Sequence, residues 1–317
     1  MRDEVQPDGV AEPFCQPIQR QSLRLGILDL CRVAPGQTDQ ERLIETFALA
    51  VQVDTVGYAR YWLAEHHEPN VAHSCPELLV GLVAQTTEHL RVGTAGVLLK
   101  YYSPLKVAKN FRLLHALFPG RVDLGLGAGR VEEETAQDLL GGLPPPQLHQ
   151  EGYEAKVAGL LTHLYDPHVS PCGVGSPEVW ILGSSGVGSA ALAARYGTAF
   201  SLALFLRGST DGHDDPTAVR KYRADFQPSR TLAAPHWNIA VAGVCADTAE
   251  EARRLRELHT NPFIVPTVVG SPSQCRTQLL RLQELFETDE IIFLDICPDL
   301  DHRLRSYQLL AKALDLY

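Results

Sequence analysis

From residue 23 onward the chain alternates between short runs of branched apolar residues and longer segments whose apolar residues recur every three or four positions. The first run, LRLGILDL (23–30), reads as a strand. It is followed by QERLIETFALAVQVDTVG (40–57), which has the helical period and stops on Gly57. YARYWLAE (58–65) reads as the second strand, and CPELLVGLVAQTTEH (75–89) as a helix with Pro76 in its first turn. LRVGTAGVLL (90–99), SPLKVAKNFRLLHALFPG (103–120) and RVDLGLGAG (121–129) continue as strand, helix and strand. A polar, Pro-rich passage, GGLPPPQLHQEG (141–152), interrupts the pattern. EVWILGSS (178–185) and TAFSLALFL (198–206) then enclose the helical GVGSAALAARYG (186–197). HWNIAVAGVCA (236–246) and DEIIFLDIC (289–297) are the last strands, followed by the helices TAEEARRLREL (248–258) and DHRLRSYQLLAKALDLY (301–317). Strands rich in Val, Ile and Leu, separated by helical crossovers, indicate a parallel sheet covered by helices. Eight such units in ~295 residues favour a closed α/β architecture, a single (β/α)8 TIM barrel, over an open sheet.

The expected barrel domain is residues 23–317, preceded by a flexible polar N-terminal arm, 1–22, that lacks the apolar centre of a signal peptide. Insertions are expected after strands 4 and 6. The second of these, RGSTDGHDDPT (207–217), reads as an exposed loop, either a solvated insertion or a lid. With 28 Lys and Arg against 38 Asp and Glu, the net charge is −10, and no basic patch offers itself to nucleic acid or an anionic membrane. No apolar stretch has transmembrane length. Seven cysteines are scattered without a C-x-x-C pair, which argues against a disulfide framework and structural zinc and for a reducing, cytoplasmic setting.

In a parallel barrel the chemistry sits at the carboxyl ends of the strands, and the unusual residues of this chain collect there. Strand two ends in WLAEHHEP, which releases Glu65, His66 and His67 at one point. Strand three ends near Thr94-Ala95-Gly96, and strand four in Gly127-Ala128-Gly129-Arg130. Strand five runs into Gly183-Ser184-Ser185-Gly186-Val187-Gly188-Ser189, a turn that opens a helix. Such a turn is either a tight connection that needs Gly for its backbone angles or a cradle of free N–H groups and hydroxyls for a phosphate. Its glycine spacing, like that after strand four, is not the dinucleotide fingerprint. The histidines admit three roles: a metal ligand, a hydrogen-bonded loop residue, or a proton donor and acceptor at the barrel mouth. Neighbouring strand residues point to opposite faces, so a metal shared by His66 and His67 is not expected.

Four stretches together carry a family likeness: YWLAEHH, TAGVLLKYYSPLKVAKNFRLLHALFPGRVDLGLGAGR, GSSGVGSAALAARYG, and VGSPSQCRTQLLRLQELFETDEIIFLDI followed by HRLRSYQLLAKAL. In these residues the chain resembles the bacterial luciferase-like flavin-dependent monooxygenases, most of all the branch found in natural-product biosynthesis. The resemblance implies a two-component enzyme. It would use reduced FMN (FMNH2) supplied by a separate flavin reductase, and O2 as co-substrate, to oxidise a small organic molecule through a flavin hydroperoxide. One branch of the family uses F420 and transfers hydride, and a few relatives only bind flavin; both remain as alternatives. The resemblance assigns the catalytic position to His66, with His67 packing or orienting beside it. It puts a non-proline cis peptide at Ala95–Gly96 beneath the flavin ring, phosphate contacts at Ser185, Gly186 and Ser189, and Ser184 among the cofactor-binding residues. Some luciferases carry a reactive cysteine and then an arginine where this chain has Gly127 and Ala128. That puts light emission in doubt and leaves Gly129 and Arg130 as the cofactor-binding candidates there. Relatives pair helices like 76–89 and 104–117 in homodimers, and the same arrangement is expected here.

Overall fold

β1 (Arg24–Asp29) pairs in parallel with β2 (Arg60–Leu63) on one side and with β10 (Glu290–Asp295) on the other. From β2 the ladder continues through β3 (Arg91–Thr94), β5 (Val122–Gly127), β6 (Glu178–Gly183) and β7 (Ala199–Ala203) to β8 (Trp237–Cys245). β8 pairs back with β10, Ile239 opposite Ile291, and so closes a barrel of eight parallel strands. Two short strands lie off the ring: β4 (Val97–Leu98) against β5, and β9 (Val268–Gly270) against β8. The computed structural model describes residues 22–129, 131–141, 150–184, 187–206 and 214–317. The expected N-terminal arm, apart from residue 22, lies outside them.

The helices between the strands are α1 (Asp39–Thr55), α2 (Pro76–Thr86), α3 (Pro104–Leu117), α4 (Glu133–Leu139), α5 (Gln150–Tyr165) and α6 (Gly188–Tyr196). They continue with α7 (Thr217–Asp225), α8 (Ala249–Glu257), α9 (Pro272–Phe286) and α10 (Leu300–Ala313). Their starts follow local chemistry. Thr38 and Glu41 form a reciprocal capping box at α1, Ser271 and Gln274 form another at α9, and Asp299 caps α10. Among the described residues no helix is long and apolar enough to cross a membrane.

Alternation along each strand sorts the core into two layers. Leu25, Ile27, Tyr61, Leu63, Leu124, Ile181, Phe200 and Phe293 face the helices in one cluster. Leu28, Trp62, Trp180, Ala199, Ala240 and Ile292 fill the barrel interior in a second. Trp62 and Trp180 meet edge to face with centroids 5.1 Å apart, and small residues opposite them leave room for two indoles. Below them Arg60 donates from Nε to Glu290 (2.7 Å) and from Nη1 to Asp123 (2.6 Å), with its guanidinium 4.7 Å from the Trp180 ring. The bottom of the barrel is thus sealed by a paired charge cluster and plugged by aromatic rings. Space remains only toward the carboxyl ends of the strands.

The structure corrects the sequence expectation in two places. The expected strand 90–99 is split: β3 ends at Thr94, the Ala95–Gly96 peptide is cis as the resemblance implied, and β4 resumes at Val97. The Ala95 N–H still reaches the Leu63 carbonyl (2.8 Å), but the Leu98 N–H is taken by the Glu65 carboxylate (2.8 Å) instead of a strand partner. Four helices, α4, α5, α7 and α9, were not read from the sequence. Buried Tyr153, Val157, Leu160, Leu161 and Leu164 give α5 a clear helical stripe that begins only after the proline run. For α9 the capping box with Pro272 at the first position was a usable signal. The expected strand-six loop falls largely outside the described residues. Of it, Asp214 pairs with Arg281 (2.8 Å) and Asp215 accepts from the Thr217 N–H at the start of α7.

Candidate active site

Above the Trp62–Trp180 plug the barrel opens into a cavity of about 340 Å3. That is near the lower end of the roughly 300–1,000 Å3 usual for small-molecule sites. Its walls carry His66 from the end of β2, Ala95 and Gly96 between β3 and β4, Gly127 to Gly129 after β5, and Ser184 after β6. Leu28, Leu182, Phe205 and Ile264 make most of the rest apolar. The loop bearing Ile264 is held over the mouth by the Val265 N–H, which donates to the Phe205 carbonyl (2.7 Å).

Glycine is needed where the chain crosses under this cavity. A Cβ on Gly125 would stand 1.9 Å from the Thr94 carbonyl oxygen, and one on Gly96 would stand 2.8 Å from Gly125 backbone. Bare backbone on both strands lets them approach closely beside Ala95, with the Leu182 side chain packed where a Gly96 Cβ would stand. This is what the Thr94-Ala95-Gly96 and Gly125-Leu126-Gly127 runs encode together.

Glu65 is the residue that sequence reading left without a role. Only 5 % exposed, its carboxylate accepts from the Leu98 N–H, the Tyr102 hydroxyl (2.6 Å) and His67 Nε2 (2.8 Å). The three bonds tie the end of β2 to the segment after the cis peptide, and they hold His67 away from the cavity wall. His66, the other histidine, faces the cavity. The Glu68 carboxylate lies 3.2 Å from its Nδ1, which favours the proton on that nitrogen and leaves Nε2 as an acceptor. Burial lowers the His66 pKa below the ordinary histidine value; Glu68 opposes that and the nearby Arg32 charge assists it. The ring is therefore neutral at pH 7. The alternatives open to the two histidines separate here by their partners, His67 to Glu65 and His66 to the cavity.

Of the nine residues assigned by the sequence, His66, Ala95, Gly96, Gly129 and Ser184 line this one cavity. Ser189 stands half-buried in the first turn of α6, behind Gly183 and not in the wall. Arg130, Ser185 and Gly186 lie outside the described residues. The start of α6 has no side-chain cap, and its first returned amide is that of Ala191, bonded to the Val187 carbonyl (2.8 Å). The N–H groups of Gly188, Ser189 and Ala190 thus have no intrahelical acceptor, the setting in which helix starts receive anions. The wall also contains Ser201 and Arg32, neither of which stood out in the sequence.

Residues 23–267 match the luciferase-like monooxygenase family, and the chain belongs to it. It is accordingly an enzyme of the oxidoreductase class. Two Bacillus subtilis proteins are similar over nearly their whole length. YwcH is 34% identical, with 91% of this chain and 98% of that protein aligned; an N-acetyl-S-alkylcysteine monooxygenase is 33% identical over 92% and 98%. The solved structure of apo-MsnO8 superposes with a TM-score of 0.85 at 33% identity, covering 93% of this chain and 99% of that one. Two more distant structures share the fold at TM-scores of 0.72 and 0.68. The first is the oxygenating component of 3,6-diketocamphane monooxygenase from Pseudomonas putida, in complex with FMN. It is 18% identical and aligned over 92% of this chain and 98% of that one. The other, an F420-dependent secondary alcohol dehydrogenase, is 14% identical and aligned over 92% and 99%.

Proposed function

We propose that this protein is a two-component monooxygenase, taking FMN already reduced by a separate reductase, with O2 as co-substrate, and oxygenating a small organic molecule such as a natural-product intermediate. The observation that carries the reading is the single cavity in which a neutral histidine, the Ala95–Gly96 backbone and the approach to an uncapped helix start come together. The residues fit such a cofactor. The Ala95–Gly96 backbone offers a seat for a planar ring, and the free amides of α6 with the Ser189 hydroxyl suit a phosphate. When bound, reduced FMN supplies the two electrons with which one atom of O2 enters the substrate and the other leaves as water. The chain does the rest. Trp62, Leu182, Phe205 and Ile264 exclude water from the reacting centre, and His66 Nε2 accepts and returns the proton. Ser184 at the wall would offer its hydroxyl to the bound cofactor.

Anaerobic protein loaded with reduced FMN is expected to slow the return of oxidised-flavin absorbance after O2 is admitted, compared with free reduced FMN. A parallel titration with reduced F420 discriminates the hydride-transfer alternative. Return at the free-flavin rate, or tight binding of F420 and none of FMN, would count against the proposal.

The same reading includes a homodimer. Leu78 and Leu82 on α2 and Leu113 and Leu117 on α3 are each more than half exposed, and the two helices pack closely where Gly81 meets Leu114. Large apolar side chains at i, i+4 on adjacent helices form a surface suited to a second copy. Sedimentation should give twice the chain mass, and Leu82→Asp should give a folded monomer. A wild-type protein that sediments as a single chain would end that part of the proposal.

A further inference from the structure

A larger chamber of about 850 Å3 adjoins the flavin-sized cavity, and Arg32, Glu68, Asn261 and Phe263 stand on the wall that both share. Its outer side is built from the segment after β1, the loop 258–264 and the turn from β10 into α10. We propose that Arg32 binds a carboxylate of the substrate in this chamber, so that the substrate's oxidisable end reaches through the shared wall to His66. The proposal rests on the monooxygenase reading of the smaller cavity and adds the chemical class of its substrate.

Arg32 is held in place by its backbone. It bridges to Val71, its carbonyl accepts from Arg42 Nε (3.1 Å), and the next N–H, that of Val33, reaches the Asn70 carbonyl (2.9 Å). Its side chain is under-used. Nη1 donates to the neutral Asn70 Oδ1 (3.2 Å), buried Nε has no acceptor, and among the described residues no carboxylate lies within 4 Å. The buried arginines Arg42, Arg60 and Arg303 do hold carboxylates, on Asp29, on Asp123 and Glu290, and on Glu45, while buried Arg112, whose Nε also lacks an acceptor, and half-buried Arg121 are spent on backbone carbonyls. A half-buried guanidinium whose charge meets no carboxylate within 4 Å among the described residues can take a ligand carboxylate from its terminal nitrogens.

The chamber's own carboxylates form no ion pair with Arg32 within 4 Å among the described residues, although its charge helps to lower the Glu68 pKa. Asp29 is occupied by Arg42, the Tyr61 hydroxyl and the Cys31 N–H, and Glu68 faces His66. Asp295 accepts from the Cys297 N–H, and burial pushes its pKa up to about 6. A ligand anion is the missing partner.

The test is calorimetric titration of the full chain with hexanoate and, separately, with hexanamide, its neutral isostere. Hexanoate is expected to bind at least about tenfold more tightly, in line with a charge-assisted pair. Arg32→Gln should bring the two affinities together by weakening hexanoate alone, and Arg32→Lys should keep part of the preference. Thermal melts of both variants establish that they are folded. Equal affinities in the wild type, no saturable hexanoate binding, or a preference that survives in Arg32→Gln would each overturn the proposal. No flavin turnover is read, so a negative result here leaves the flavin reading standing, and failure of the flavin experiment leaves the hexanoate preference to stand alone.

Discussion

His66→Asn is expected to lower turnover roughly 10²- to 10⁴-fold, the span typical for loss of a positioned acid–base group. Folding should be untouched, because the ring is about a third exposed and Glu68, the carboxylate paired with it, is itself half exposed. The pH profile separates a proton-handling role from a packing one. Burial holds the folded pKa below 6.5, so the wild-type ring is neutral through pH 7 and loses Nε2 as an acceptor only as pH falls below that value. The wild-type rate should therefore decline on an acid limb centred below 6.5, and the variant should lack that limb. Turnover equal to wild type in the variant would remove His66 from the chemistry and bring the non-catalytic flavin-binding alternative back. His67→Asn is not the matching control, since it strips Glu65 of one of its three donors.

The second large effect lies at the opposite end of the barrel. Arg60→Met should cost about 3–5 kcal/mol of stability, because it leaves buried Glu290 without its close arginine partner and takes from buried Asp123 one of its two arginines, the other being Arg91. Arg281→Met, which removes an exposed pair with Asp214, should cost under about 1 kcal/mol. Chemical denaturation of the two variants side by side measures the difference. The contrast isolates burial, since both changes delete one arginine from one or more carboxylate pairs. A loss for Arg60→Met no larger than for Arg281→Met would show that the bottom cluster is not held by this residue. Flavin binding in the folded fraction should be unchanged, as Trp62 and Trp180 separate the cluster from the cavity.

Strand and helix periods are local properties, and so the ring order β1 to β10 could be read from spacing alone. The exceptions are instructive. The run 90–99 looks like one strand because its residues are apolar throughout, and only a carboxylate 33 positions earlier, Glu65, diverts the Leu98 N–H from the ladder. The stripe Tyr153, Val157, Leu160, Leu164 is plainly helical, yet it follows a proline-rich passage that draws attention to a loop. His66 could be singled out from WLAEHHEP, but the choice between it and His67 came from family resemblance, since spacing treats neighbours alike. Arg32 and Ser201 gave no signal at all. An arginine in a sequence does not announce whether it has a partner.

The amino-acid order by itself determined the alternation of strand and helix, and with it the parallel barrel and the rim where unusual residues gather. It did so because side-chain period and turn chemistry act over a few residues. Tertiary structure alone decided which of those rim residues share a wall and which histidine is bound to Glu65. It also decided that Arg32 has no carboxylate within ion-pair distance among the described residues, and that a second chamber opens beside the first. Those outcomes depend on contacts between segments tens to hundreds of residues apart, whose distances no local pattern records.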